Sequence, residues 1–336
     1  MKKTLYIFAL ILMVTVSCNE SDWLAEETFD FYSANNSYNT EDQFNAAVAR
    51  LYEKVEPFYT FWPPYLGNAF FYTSDIAYDA ISVTHQLNSY EDKLIPEATM
   101  VSTYWQRFYS NIYDANVIIN RIEGENTQFS SEASRNALKA EAMFFRAYNY
   151  RFLNILFKGV PLVTEEIRAP KRDFVRASEQ EIWDLVVSDL LFAEENLPNV
   201  TELEEDGRLT KAAVRHLLAE VYISKGEYDK AIEKATAVID DPNYALMKTR
   251  FGTRQNEEGD VYWDLFRRGN QNRKSSGNTE SIWVKQYEYL VEGGGQDYRL
   301  TWVYVPNYPL LKDEDGKSLF IGPTSQNGGD GGGGCN

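Results

Sequence analysis

Two stretches of this chain combine flat aromatic rings with polar side chains outside any helical stripe. Phe61-Trp62-Pro63-Pro64-Tyr65 runs on to Phe71, Tyr72 and Asp75, and Asp297-Tyr298-Arg299 is followed by Trp302. A sugar presents apolar C–H faces and polar edges, so its site pairs aromatic faces with Asp, Asn, Gln or Arg in a largely preformed pocket. Trp62, Tyr65, Tyr72, Asp75, Tyr298, Arg299 and Trp302 are therefore the candidate ligand-binding residues, with core packing as the competing reading for each ring. Catalytic and metal-binding patterns are missing. His85 and His216 are the only histidines and lie far apart, and Gly293-Gly294-Gly295 does not follow the strand-to-helix pattern of a dinucleotide site. Acidic doublets such as Glu165-Glu166 and Glu194-Glu195 read as solvated surface, because adjacent acids on a helix cannot face each other across a cleft as glycoside hydrolysis requires. The expectation is a binding protein with no catalytic residue, no metal and no cofactor.

Cys18 carries a different chemistry. It follows Lys2 and Lys3, an apolar run from Leu5 to Val16, and the small residue Ser17, and it precedes Asn19, Glu20, Ser21 and Asp22. A basic start, an apolar middle and a small residue at the cut are the order of an export signal, and the run falls short of the roughly 20 apolar residues that span a bilayer. Residues 1–17 are read as a signal peptide. With Cys at the first mature position the pattern resembles a bacterial lipoprotein signal, which implies lipidation of Cys18 as the anchor; Thr15 departs from the usual Leu or Val. The only other cysteine is Cys335, so acylation of Cys18 leaves no intrachain disulfide and stability must come from packing. A length of 336 residues with 44% hydrophobic content supports a real core. The formal charge of −17 repels nucleic acid and anionic headgroups, so membrane contact is expected through the lipid anchor only.

The elements that must position these groups are mainly helical. Thr40 and Gln43 form a capping box ahead of Phe44, Ala47, Leu51 and Val55 on one stripe. Trp105, Phe108, Ile112, Ala115, Ile119 and Ile122 recur at steps of three and four, which predicts one buried helix face. Leu138, Phe145, Tyr148, Phe152 and Leu156 define the next helix, closed by Lys158-Gly159-Val160-Pro161 as a Gly-then-Pro stop. Ser178 and Glu181 cap a helix with Ile182, Val186, Leu190, Ala193 and Leu197. From Thr210 to Tyr244 the positions of Leu218, Ala219, Tyr222, Gly226, Tyr228 and Ala231 fit the spacing of a tetratricopeptide helix pair. Beyond Asp241, runs such as Ser281 to Tyr289 and Tyr298 to Val305 suggest strands among Gly-rich and Asn-rich loops.

Several segments together resemble the SusD/RagB family, the surface glycan-binding lipoproteins of Bacteroidetes. They are the Cys18 start with Trp23-Leu24, Tyr104-Trp105 through Asn116, Ala140-Glu141-Ala142-Met143-Phe144-Phe145-Arg146-Ala147-Tyr148, Phe157-Lys158-Gly159-Val160-Pro161-Leu162-Val163, and Gly207-Arg208-Leu209-Thr210, in family order. The resemblance implies a mainly α fold of tetratricopeptide-like helix pairs, an α/α superhelical scaffold, with a loop-rich, partly β irregular region that holds ligand. The organisation expected is a signal peptide over 1–17, a helical region over 18–240 and the start of the ligand-binding region over 241–336. That last part is incomplete if, as comparison with the longer family members implies, the chain is truncated at its C-terminus. The resemblance further implies a non-enzymatic outer-membrane lipoprotein facing the exterior, which captures oligosaccharide or a similar nutrient polymer and passes it to a SusC-type TonB-dependent transporter. The alternative reading is a tetratricopeptide-like interaction scaffold of a transporter complex that binds no sugar.

Overall fold

The computed structural model describes residues 37–55, 91, 94–286 and 312–317. The chain divides into two units between Tyr38 and Asn39, and every element named here belongs to the second. Its helices are α1 (Glu41–Val55), α2 (Thr99–Arg121), α3 (Glu132–Phe157), α4 (Glu179–Asn196), α5 (Lys211–Lys225), α6 (Tyr228–Ile239), and the short α7 (Val261–Leu265) and α8 (Arg273–Ser276). Helix α3 packs against α1, α2 and α4, α4 packs against α5, and α5 against α6. The fold is the helical scaffold expected, with a tetratricopeptide-like pair at α5 and α6. Among the described residues no helix is long and apolar enough to cross a membrane.

Local chemistry starts and stops these helices where the sequence places the signals. The Thr40 hydroxyl accepts from the Gln43 amide while the Gln43 side chain accepts from the Thr40 amide, a reciprocal cap for α1. Ser178 and Glu181 do the same for α4, and Thr210 accepts from the Ala213 amide to start α5. Gly226 ends α5 in the left-handed region at φ 75°, which glycine enters without a side-chain clash. The turn returns the chain as α6, which sets Ala231 and Val238 against the bundle, while Tyr222 is buried from α5.

Several expectations need correcting. Trp105 and Ile119 are half-buried, not core. The buried arc of α2 holds Met100, Tyr104, Phe108, Asn111, Ile112, Ala115 and Ile118, and Trp105 sits at its edge, against Tyr109 and edge-on to Phe157 at 5.1 Å. Leu156 is exposed, as is Ile155, on the side of the last turn of α3 opposite the buried Leu153 and Asn154. Gly159 does not supply the left-handed turn that ends α3. Lys158 adopts positive φ instead, and Gly159 is required because a Cβ there would stand 2.2 Å from the Ala177 carbonyl oxygen. Ser281 to Gln286, read as the start of a strand, is irregular. No strand forms among the described residues; isolated bridges pair Thr40 with Gln128 and Pro161 with Arg176.

The interior is organised by polar residues of α3. The Arg146 guanidinium donates from Nε and Nη2 to the two Asp189 carboxylate oxygens of α4 at 2.7 and 2.8 Å, and from Nη1 to Asn116 of α2 at 3.0 Å. Asn116 in turn donates to the Val163 carbonyl, and the Val163 amide donates to the Tyr150 hydroxyl, so one cluster fixes α2, α3, α4 and the Gly-Val-Pro-Leu-Val segment. Burial pushes the Asp189 carboxyl up from its ordinary value, and the Arg146 fork opposes that push. Both side chains are almost wholly buried, so removing one leaves an uncompensated interior charge, a loss of about 3–5 kcal/mol. Arg146→Met should lower unfolding stability by about that amount in urea titration, and Arg146→Met/Asp189→Leu should recover most of it. A double variant as unstable as the single one would show that the pair itself, not the stranded carboxylate, carries the energy.

Candidate functional site

The candidate ligand residues Trp62, Tyr65, Tyr72, Asp75, Tyr298, Arg299 and Trp302, and the candidate lipidation residue Cys18, all lie outside the described residues. What the structure does describe is how the chain beyond α6 is built and how it is tied to the helices.

The tie is the Gly207-Arg208-Leu209-Thr210 segment, each residue of which has a separate task. Gly207 sits at φ 94° and its carbonyl accepts the Trp283 indole N–H at 3.0 Å. Arg208 donates to Asn45 of α1 at 3.0 Å and to Glu141 of α3 at 2.8 Å. The Leu209 amide donates to the Tyr52 hydroxyl at 2.8 Å, and that hydroxyl donates to the other Glu141 oxygen. Thr210 then caps α5. Around this cluster the rings of Tyr52, Phe144 and Phe145 meet Trp283 at centroid distances of 5.8 to 6.3 Å, mostly edge to face. Burial raises the Glu141 carboxyl above its ordinary value while Arg208 and Tyr52 pull it back, and burial together with the Glu141 charge raises Tyr52. Both Glu141 oxygens are engaged, so this buried acid is a structural bridge and has no free oxygen for a substrate.

A second polar cluster is centred on Asp264. The Arg250 guanidinium grips its carboxylate at 2.6 and 3.0 Å and also donates to the carbonyls of Arg254, Glu257 and Gly259. The Phe251 amide donates to the same carboxylate at 3.1 Å. Asn270 closes the loop: its amide donates to the Phe251 and Asp264 carbonyls and its oxygen accepts from the Thr253 amide. Gly252, at φ 74°, is required here, since a Cβ would stand 2.1 Å from the Asn270 side-chain oxygen. Asp260 caps α7 by accepting from the Trp263 amide at 2.8 Å.

This frame divides the aromatic residues of α7 and its C-cap, Phe266, into two kinds. The Arg267 guanidinium lies 3.6 Å from the centroid of Trp263, and a Cβ on Gly259 would stand 3.0 Å from the same ring system, so Trp263 is clamped. Tyr262 and Phe266, four residues apart and 5.0 Å between centroids, are 67% and 70% exposed. Sequence periodicity singles out neither, because a five-residue helix is too short to show a period. The available signal is the i, i+4 ring pair following the Asp260 cap. Among the described residues no group of three or more His, Cys, Asp or Glu could hold a metal ion. Asp264, held below the ordinary carboxylate range by Arg250, is a fixed charge and not a proton carrier.

A stack of amphipathic helices ending in a tetratricopeptide-like pair, with an aromatic segment framed by Arg250, Asp264 and Asn270 beyond it, defines a tetratricopeptide-like helical scaffold. A family model described as starch-binding, associating with outer membrane, matches residues 22–223, and the chain belongs to this SusD-like family. It is 27% identical over 308 residues to SusD-like protein P2 of Formosa agariphila, covering 89% of this chain and 56% of that protein. The chain spans about half the length of the curated relatives it matches. Among solved structures it resembles one obtained with xylogluco-oligosaccharide, at 23% identity and TM-score 0.59, over 78% of this chain and 51% of the other. It also resembles a laminarin-binding SusD-like protein, at 22% identity and TM-score 0.54, over 63% and 48% of the two chains.

The Arg250 grip gives a pH prediction. A carboxyl whose folded pKa is depressed contributes stability above its unfolded pKa and loses it as the pH falls through the folded value. Asp264→Asn should therefore melt below the wild type near neutral pH, and the gap should close as the pH drops past the ordinary aspartate value of 3.8. Thermal melts across that range check it. A gap that stays constant with pH would mean that the ionised carboxylate contributes no more than the amide's shape does.

Proposed function

We propose that this protein is a non-enzymatic lipoprotein of the outer membrane that captures oligosaccharide at the cell surface and hands it to a SusC-type TonB-dependent transporter. The family match over residues 22–223 carries this reading, and the laminarin and xylogluco-oligosaccharide names of its structural neighbours support the ligand class. Cys18 is the lipidated anchor, residues 18–240 are the helical scaffold, and residues 241–336 belong to the ligand-binding part. Trp62, Tyr65, Tyr72 and Asp75 meet the sugar from one segment of the chain, and Tyr298, Arg299 and Trp302 from another. Rings supply the stacking faces, and Asp75 and Arg299 bond hydroxyls.

Affinity electrophoresis of the full chain through gels containing a panel of glycans should show retardation by at least one, with no reducing ends released on incubation. Retardation by none would favour the interaction scaffold built on α5 and α6, and released reducing ends would make the protein a hydrolase. Trp62→Ala and Trp302→Ala should each weaken binding while leaving the melting temperature near the wild-type value. A melting loss as large as that of a buried ring, about 3–5 kcal/mol in stability, would return that tryptophan to the core.

The anchor is tested separately. Cys18→Ala should shift the protein from the membrane fraction to a soluble or precursor form, since two or three acyl chains hold firmly where one holds marginally. Retention in carbonate-washed membranes would rule Cys18 out as the anchor.

A further inference from the structure

We infer that Tyr262 and Phe266 form a surface platform on which a sugar ring of the captured glycan stacks; this rests on the glycan-capture reading. A helix of five residues has no stability of its own in water, so α7 exists only because its surroundings impose it. Those surroundings are the Arg250–Asp264 grip, the Asn270 bonds and the Asp260 cap. The same segment has an interior available to it, where Phe251 is buried, and a clamp for a third ring, where Trp263 lies against Arg267. Yet Tyr262 of α7 and Phe266 at its C-cap, 5.0 Å apart between ring centroids, are held outward at 67% and 70% exposure. Leaving aromatic surface in water is unfavourable, and fixing it there on an immobile element prepares it for a partner with a flat apolar face.

A pyranose has such a face, and its hydroxyl edges need donors or acceptors close by. Arg267 follows Phe266 directly, and among the described residues its side chain's one hydrogen bond is a long one from Nε to the Trp263 carbonyl at 3.4 Å, with no carboxylate in ion-pair contact. A guanidinium has five donors, so Arg267, whose guanidinium lies over Trp263, retains N–H groups for the hydroxyls of a bound sugar. The rings stand 65° to each other, an edge-to-face arrangement, so one presents its face to the sugar while the other forms a wall.

The experiment is affinity electrophoresis of the full chain against the glycan that retards the wild type most, with Tyr262→Ala/Phe266→Ala and Phe266→Leu as variants. Because both rings are exposed, both variants should melt with the wild type. The double variant should bind about tenfold more weakly, the loss of one or two stacking contacts. Phe266→Leu keeps apolar bulk without a flat face, so it should also weaken binding. Wild-type binding with an unchanged double variant would overturn the platform and leave the capture reading standing. Ala variants that lose binding while Phe266→Leu retains it would also overturn stacking, in favour of nonspecific apolar cover. A wild type that binds no glycan would bring down the capture reading itself, and the platform with it.

Discussion

Helix α3 takes two ionisable side chains into the interior, and each must meet its complement there or the helix cannot be buried. Glu141 and Arg146 are five residues apart and therefore leave the helix on different sides. Arg146 reaches towards α2 and α4 through Asn116 and Asp189, and Glu141 reaches towards α1 and the Gly-Arg-Leu-Thr segment through Tyr52 and Arg208. Isolated interior charge costs several kcal/mol, so packings that mispair these groups are strongly disfavoured. Hydrophobic stripes would tolerate several ways of laying these helices side by side. The two polar junctions select one, and the late segment inherits its position from the second junction.

Local signals are readable because their partners sit three or four residues away. The Thr40–Gln43 and Ser178–Glu181 boxes, the Thr210 cap and the Gly226 turn all form as the spacing predicts. The helix-pair assignment follows from them. Side-chain burial is less readable, since Trp105 shares the period of α2 but not the centre of its buried arc, and that centre depends on where α3 lies. The Gly-Arg-Leu-Thr motif is visible as a string of residues while its purpose is not, because Asn45, Tyr52 and Glu141 lie 163, 157 and 67 residues from the groups that bind them.

The proposed binding residues divide in the same way. Trp62 and Trp302 stand out as aromatic residues away from a helical stripe, a criterion that finds rings in loops and misses rings on short helices. Tyr262 and Phe266 belong to the second kind, and only the Asp264 frame shows that they are held outward. Trp263, between them in the chain, is the converse case, a ring whose face is covered by Arg267.

The Trp283 indole bond to Gly207 has a thermodynamic side. It joins the late segment to the residue that precedes Arg208, so order in that segment and order at the α1, α3 and α5 junction are favoured together. Any ligand that binds only the ordered form draws the whole coupled unit towards the folded state, by an amount that grows with the logarithm of its concentration. Through this bond and the contacts of the Trp283 ring with Tyr52, Phe144 and Phe145, the helical stack is coupled to anything that orders the late segment. Slowed amide exchange deep in α3 would then report that the late segment has become ordered.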